Sequence, residues 1–232
     1  MKKNILLIGG SYGIGLAIAK QLQNDHNLII ASRSAEGLES LHVTHIPFDA
    51  ESDILDRSKL PDVIDGLVYC PGSINLRPFK GLKIETFESD LKINYIDMVK
   101  VIQTVLPQLS ASTQSSIVLF STVAASMGMP FHTSVSGAKA AVEGFAKALA
   151  AEHAPKMRVN VIAPSLTDTP LADKFLNTEL KQEKSAERHP LKRFGKPEDI
   201  AEAACFLLSD KSSWMSGQIM HVDGGMSTLL VS

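Results

Sequence analysis

The sequence is short of the features that mark several protein classes. Its 232 residues hold only two cysteines, Cys70 and Cys205, too few for a disulfide framework. Both stand in apolar runs, where a thiol behaves as a small hydrophobe, so a reducing, cytoplasmic setting is expected. Excess charge is also missing: 23 basic against 25 acidic residues give a formal net charge of −2. A dedicated nucleic-acid binder carries a basic excess to meet phosphates, so no nucleic-acid partner is expected. No run approaches the roughly 18 apolar residues of a membrane span. The N-terminal apolar stretch is only Ile5 to Ile8 before Gly9, far short of a secretory h-region. A soluble protein without a membrane partner is the expectation. The seven histidines show no ligand-like clustering, and no metal site is expected.

What is present is a globular pattern, 44% hydrophobic and 21% charged, of a length that one core can still organise. Short runs of strand character alternate with longer segments of helical period. The strands are expected at Asn4–Gly9, Asn27–Ala31, His42–Phe48, Asp65–Tyr69, Ser116–Ser121, Met157–Ile162 and Gln218–Val222. Several are nearly continuous apolar runs, as strands covered on both faces should be. Helices are expected at Ile14–Gln23, Phe87–Leu109, Ser136–His153 and Pro197–Leu208; the last opens on a proline and two acids, which favour helix initiation. This order predicts an α/β fold: a single doubly wound Rossmann-type domain over residues 1–232, with a parallel sheet of about seven strands and helices on both faces. Residues 168–193 form a charged, weakly patterned excursion after a strand end. Both a substrate lid and a solvated surface helix suit that segment.

The first strand runs into Gly9-Gly10-Ser11-Tyr12-Gly13-Ile14-Gly15, and a helix follows. Glycines at such a junction allow positive φ and let the backbone approach a pyrophosphate, whose charge the helix N-terminus favours. A tight turn without a ligand is the plainer alternative. About 20 residues on, where an NAD site usually carries an acid for the ribose, the chain reads Ala31-Ser32-Arg33-Ser34. Arg33 beside the Ser32 hydroxyl suits a 2′-phosphate, so NADP(H) is favoured over NAD(H); a solvated surface arginine is the alternative.

The spacing G-x-x-x-G-x-G resembles the short-chain dehydrogenase/reductase family, and the resemblance covers nearly the whole chain. It implies cofactor contacts at Gly9, Ser11, Tyr12, Gly13, Ile14 and Gly15, at Ser32 and Arg33, and at Asp49 and Ala50 in Phe48-Asp49-Ala50, which looks like the family's adenine-binding turn. Tyr69-Cys70-Pro71-Gly72 stands where the family has Asn-Asn-Ala-Gly and keeps only Gly72. Asn94 matches the family asparagine that kinks a helix and holds a relay water. Ala163-Pro164-Ser165-Leu166-Thr167-Asp168-Thr169 resembles the segment that meets the nicotinamide carboxamide, implying contacts at Pro164, Thr167 and Thr169, with Ser165 in place of a glycine. The segments Arg193–Asp199 and Ser216–Gly225 resemble the family's closing segments. They imply a homo-oligomer, a tetramer or dimer. By pattern the chain is most similar to the ketoacyl-carrier-protein reductases, which fixes no substrate.

The family's proton donor is the tyrosine of Tyr-x-x-x-Lys, whose lysine lowers the phenol pKa and holds the nicotinamide ribose. Here the matching segment is Thr133-Ser134-Val135-Ser136-Gly137-Ala138-Lys139. Lys139 falls in register; the tyrosine position holds Val135, which can neither give nor accept a proton. The family serine falls on Thr122, which keeps a hydroxyl. Lys139 as an ordinary surface residue paired with Glu143 is the alternative to its cofactor role. Three accounts of the proton stay open: His132 supplies it; water relayed through Asn94 and Lys139 supplies it slowly; or the protein binds a nucleotide without turnover, as a regulatory or structural subunit of an oligomer. The leading expectation is NADP(H)-dependent hydride transfer to or from a small-molecule carbonyl or secondary alcohol.

Overall fold

The computed structural model describes residues 2–230; the expected domain of 1–232 extends beyond them by Met1, Val231 and Ser232. Seven strands, β1 (Asn4–Ile8), β2 (Asn27–Ser32), β3 (Val43–Pro47), β4 (Gly66–Tyr69), β5 (Ser115–Phe120), β6 (Met157–Pro164) and β7 (Ile219–Val222), form one sheet in the order β3-β2-β1-β4-β5-β6-β7. Every pairing is parallel. The helices are α1 (Gly13–Leu22), α2 (Ile84–Leu91), α3 (Asp97–Ala111), α4 (Thr133–His153), α5 (Asp173–Leu176), α6 (Glu179–Arg188) and α7 (Pro197–Leu208). Among the described residues no helix is long and apolar enough to cross a membrane.

Alternate side chains of the central strands feed two cores. Leu6, Ile8, Leu67, Ile117, Val159 and Val161 pack on one side with α3 and α4. Ile5, Leu7, Val68, Val118 and Ile162 pack on the other with α1 and α7. The strands therefore read as apolar runs because both faces are covered. The single doubly wound domain expected from the sequence is the one observed. Strand order reverses between β1 and β4, and such a switch point opens a crevice at the carboxyl ends of the strands.

Element ends differ modestly from the expected ones. Gly9, Asp65, Ser121 and Gln218 lie outside strands, β6 runs two residues further to Pro164, and α4 begins at Thr133. The larger correction is Phe87–Leu109, which is not one helix: a π-turn at Lys92–Ile96 separates α2 from α3. The cause is Asn94. Its side-chain amide donates to the Asp90 carbonyl (2.8 Å), the group that an unbroken α-helix would offer to the Asn94 N–H. The Asp97 N–H reaches back five residues to the Lys92 carbonyl instead. The excursion after β6 folds into a short 3₁₀ turn, α5 and α6, and a bridge between Thr167 and Gly195 closes its base.

Candidate active site

The β1–α1 corner is built so that backbone can stand where side chains usually would. Gly9 and Gly13 have φ of +79° and +56°, values that only glycine adopts without strain. A Cβ on Gly15 would lie 2.2 Å from the Gly9 carbonyl oxygen, and one on Gly10 would lie 2.7 Å from Ile30 Cγ2. The loop thus leaves an open backbone cradle at the start of α1, the geometry that receives a diphosphate. Ser11 is buried and Tyr12 is exposed. Thr169 comes to Gly13 from the segment after β6, its Cγ2 at 3.4 Å from the position of a Gly13 Cβ.

The ends of β2 and β3 flank this corner. Arg33 is exposed, and its Nη2 donates to the Tyr12 hydroxyl (3.4 Å). Ser32 is buried and donates to the Ser34 carbonyl (2.8 Å). The Asp49 carboxylate accepts the Glu51 N–H (3.0 Å), so it closes its own turn, and Ala50 packs against the first core.

Beyond β4 and β5 the crevice deepens into a cavity of about 420 Å³. Ile14, Gly72, Asn94, Thr122, His132 and Lys139 line it, and so do Val135, Pro164, Thr167 and Thr169. Nine expected site residues therefore share one cavity with Val135. The expected residues outside its lining stand at the adjoining ends of β1, β2 and β3. Lys139 donates to the Phe120 carbonyl (3.0 Å), and a Cβ on Gly72 would sit 3.4 Å from its Nζ. Glu143 is taken by the Ser121 hydroxyl (2.6 Å), so the surface pairing of Lys139 with Glu143 does not form. Burial pushes the Lys139 ammonium down to about 8, against the pull of Cys70 and Asp90. Thr122 accepts the Ala124 N–H (3.3 Å). His132 Nδ1 lies 2.8 Å from the Pro130 carbonyl, which directs its proton there and leaves Nε2 available.

Val135 is 5% exposed and lies one turn from Lys139 on the cavity side of α4. The three tyrosines do not fill its place. Tyr69 donates into the core, to the Ile93 carbonyl (3.1 Å), and burial pushes its phenol far up. Cys70 lines the cavity, but burial pushes its thiol up to about 12.

The far wall comes from the 168–193 excursion. Leu171, Phe175, Lys184 and Arg188 line the cavity from that side, while most of α6 is exposed. Sequence reasoning passed over two polar groups here. His189 is buried; its Nδ1 lies 2.6 Å from the Ser185 carbonyl and its Nε2 2.7 Å from Ser165 Oγ, clasping the end of β6 to α6. Asp90, also buried, accepts hydrogen bonds from Ser73, Asn75 and Ser134. The available signal for Asp90 was an acid one turn before Asn94 on the core-facing side of a helix.

Comparison with known proteins agrees with this geometry. The family model described as enoyl-(acyl carrier protein) reductase matches residues 9–227. The chain is 32% identical over 241 residues to the 3-oxoacyl-[acyl-carrier-protein] reductase FabG of Thermotoga maritima, covering 97% of each chain. Among solved structures it is similar to the aldohexose dehydrogenase of Thermoplasma acidophilum, with a TM-score of 0.89 and 27% identity over 100% of this chain and 96% of that one. ElxO with NADP bound shares the fold, with a TM-score of 0.87 and 23% identity over 99% and 100% of the two chains. A glycine cradle at the strand-order switch, a lysine-bearing helix beside it and a match along nearly the whole length place the chain in the short-chain dehydrogenase/reductase family of oxidoreductases.

Proposed function

We propose that the protein is an NADP(H)-dependent oxidoreductase that transfers hydride to or from a small-molecule carbonyl or secondary alcohol, with an atypical site in which valine stands at the tyrosine position. The observation that carries this reading is the continuity of the Gly9–Gly15 cradle with the cavity holding Thr122, Lys139 and Asn94. Bound there, the dinucleotide supplies a hydride donor or acceptor at its nicotinamide. The protein does the rest. Gly9, Ser11, Tyr12, Gly13, Ile14 and Gly15 seat the diphosphate. Ser32 and Arg33 receive the 2′-phosphate, and Asp49 and Ala50 border the adenine. Gly72, Pro164, Thr167 and Thr169 face the nicotinamide half. Lys139 holds the ribose and raises the local potential, Thr122 orients the substrate oxygen, and Asn94 anchors a water. For the proton, His132 and the water at Asn94 are the alternatives among the expected residues; the residue at 135 supplies none.

Residues 168–193 act as the lid of this site, since they supply its far wall. The fully exposed Trp214 and the exposed Leu229 and Leu230 give the C-terminal segments apolar surface to cover, which supports a homo-oligomer, in a cytoplasmic setting. A second reading, a nucleotide-binding protein without turnover and with a regulatory or structural role, is favoured by one observation: Val135 is buried and inert where a proton donor is needed.

Titration with NADPH and NADH separately, followed by turnover assays over a panel of ketones and secondary alcohols, tests the proposal. Saturable NADPH binding with turnover supports it; tight binding without turnover on any compound selects the second reading. The adenosine end has its own test. Arg33→Asp removes charge-assisted bonds worth about 1.5–3 kcal/mol, so NADPH affinity is expected to fall about 10- to 100-fold and NADH affinity far less. Equal loss for both cofactors would remove the 2′-phosphate assignment.

A further inference from the structure

Asp90 is a fully buried carboxylate on α2 that makes no ion pair among the described residues. Lys92 and Lys100, which lie close by in sequence, pair with Asp97 instead (2.7 and 3.0 Å). Asp90 Oδ1 accepts from the Ser73 hydroxyl (2.5 Å) and the Asn75 amide (2.7 Å), and Oδ2 accepts from the Ser134 hydroxyl (2.6 Å). Ser134 immediately precedes Val135. Ser73 lines the cavity, and its oxygen accepts from Asn94 Nδ2 (2.9 Å). A hydroxyl has one proton to donate and two lone pairs. In Ser73 the proton is committed to Asp90 and one lone pair to Asn94, which leaves one lone pair free on a residue that borders the cavity. No carboxylate lines the cavity directly among the described residues.

We infer that Ser73 exchanges a proton with the substrate oxygen and that Asp90, acting through Ser73, holds that proton, a relay in place of the phenol that position 135 lacks. The inference rests on the proposed oxidoreductase reading. In alcohol oxidation the substrate hydroxyl passes its proton to Ser73 Oγ as Ser73 passes its own to Asp90 Oδ1. The C–H bond breaks, its electron pair and hydrogen leave as hydride to the oxidised nicotinamide dinucleotide, and the C=O bond forms. Reduction runs the same steps backwards, with Asp90 starting protonated. Ser73 touches the substrate; Asp90 is a positioning and proton-holding residue. The charged group that faces Asp90 from another element is Lys139 of α4. The loop after β4 contributes Ser73, Asn75 and Cys70, of which Cys70 faces Lys139.

Asp90→Asn and Ser73→Ala are each expected to lower kcat about 10²-fold, the usual cost of losing a general acid or base, with KM changed far less. In the wild type the relay gives kcat for alcohol oxidation an acid limb at low pH. Both variants lose this acid limb, whereas the step that Lys139 sets remains in Ser73→Ala and moves lower in Asp90→Asn, which loses a carboxylate that holds that ammonium up. A readout without cofactor accompanies the kinetics, the infrared pH-difference spectrum of the ligand-free protein. A carboxyl C=O band that is absent in Asp90→Asn and shifted in Ser73→Ala supports the relay. A purely structural role for Asp90 would leave the acid limb of kcat unmoved in both variants. If Asp90→Asn does not fold, Ser73→Ala keeps the carboxylate with its other two donors and carries both readouts. The relay is overturned by an acid limb unchanged in the variants, by a missing Asp90 band, or by a limb that His132→Ala removes and Asp90→Asn keeps. Failure of the oxidoreductase reading looks different: no compound is turned over, while the Asp90 band still titrates and still shifts in Ser73→Ala.

Discussion

Val135→Tyr is expected to raise kcat for ketone reduction by up to about 10²-fold, since a positioned general acid contributes about 10² to 10⁴-fold and the Ser73–Asp90 relay supplies the lower end of that range. Residue 135 and Lys139 sit one turn apart on the cavity side of α4, so a phenol there would have the lysine cation beside it, which favours the phenolate and draws the phenol pKa down. Thr122 shares the cavity and keeps the hydroxyl that orients the substrate oxygen. Val135 is buried, but the added ring has about 420 Å³ of cavity to enter. Steady-state kinetics of the wild type and variant on one ketone series, with NADPH affinity measured alongside, is the check. A gain in kcat at unchanged NADPH affinity means that a phenol beside Lys139 donates better than the Ser73–Asp90 relay in an otherwise complete site. No turnover in either protein at unchanged affinity would mean that the site does not bring a carbonyl to the nicotinamide, and the protein would be a binder.

Gly15→Ala is expected to abolish dinucleotide binding and lower the thermal midpoint. The new Cβ would lie 2.2 Å from the Gly9 carbonyl oxygen and 2.9 Å from Gly10 Cα. Both neighbours are backbone, so relief requires moving the loop whose amides form the cradle. Overpacking of this kind typically costs about 1–3 kcal/mol in stability, and displacement of the amides removes the anion site itself. Gly137→Ala is the control. It lies on the exposed side of α4, and a Cβ there meets nothing within 4 Å. Gly-to-Ala at a compatible helix position gains about 0.4–1 kcal/mol, so this variant is expected to bind NADPH normally with a slightly raised midpoint. Calorimetric titration and thermal melts on the two variants separate a local clash from a general intolerance of change.

The parts of the molecule that were legible in the sequence are those governed by local rules. Leu6 and Leu7 point to opposite cores yet are both apolar, so a doubly covered strand shows itself as a run. Pro197-Glu198-Asp199 starts α7 where the sequence says it should, because the Asp199 carboxylate accepts the Lys196 N–H (2.7 Å) at the helix start. The kink at Asn94 was legible only through the family resemblance; periodicity hid it, because it depends on one side-chain amide competing for one backbone carbonyl inside an unbroken helical pattern. The candidate site was legible wherever a residue type is forced by backbone geometry, as at Gly9, Gly13 and Gly15. It was not legible at Asp90 or at the Ser165–His189 pair, whose partners lie far apart in the chain. Ser134 is 44 residues from Asp90, and Ser165 is 24 from His189. Nothing in local spacing announces such contacts; tertiary packing creates them.

Isothermal titration of the wild-type protein with NADPH and with NADH tests the diphosphate cradle and its neighbouring guanidinium most directly. Saturable binding of NADPH, clearly tighter than that of NADH and lost in Gly15→Ala, is the expected result. Absence of heat and of any thermal shift with either dinucleotide would contradict it.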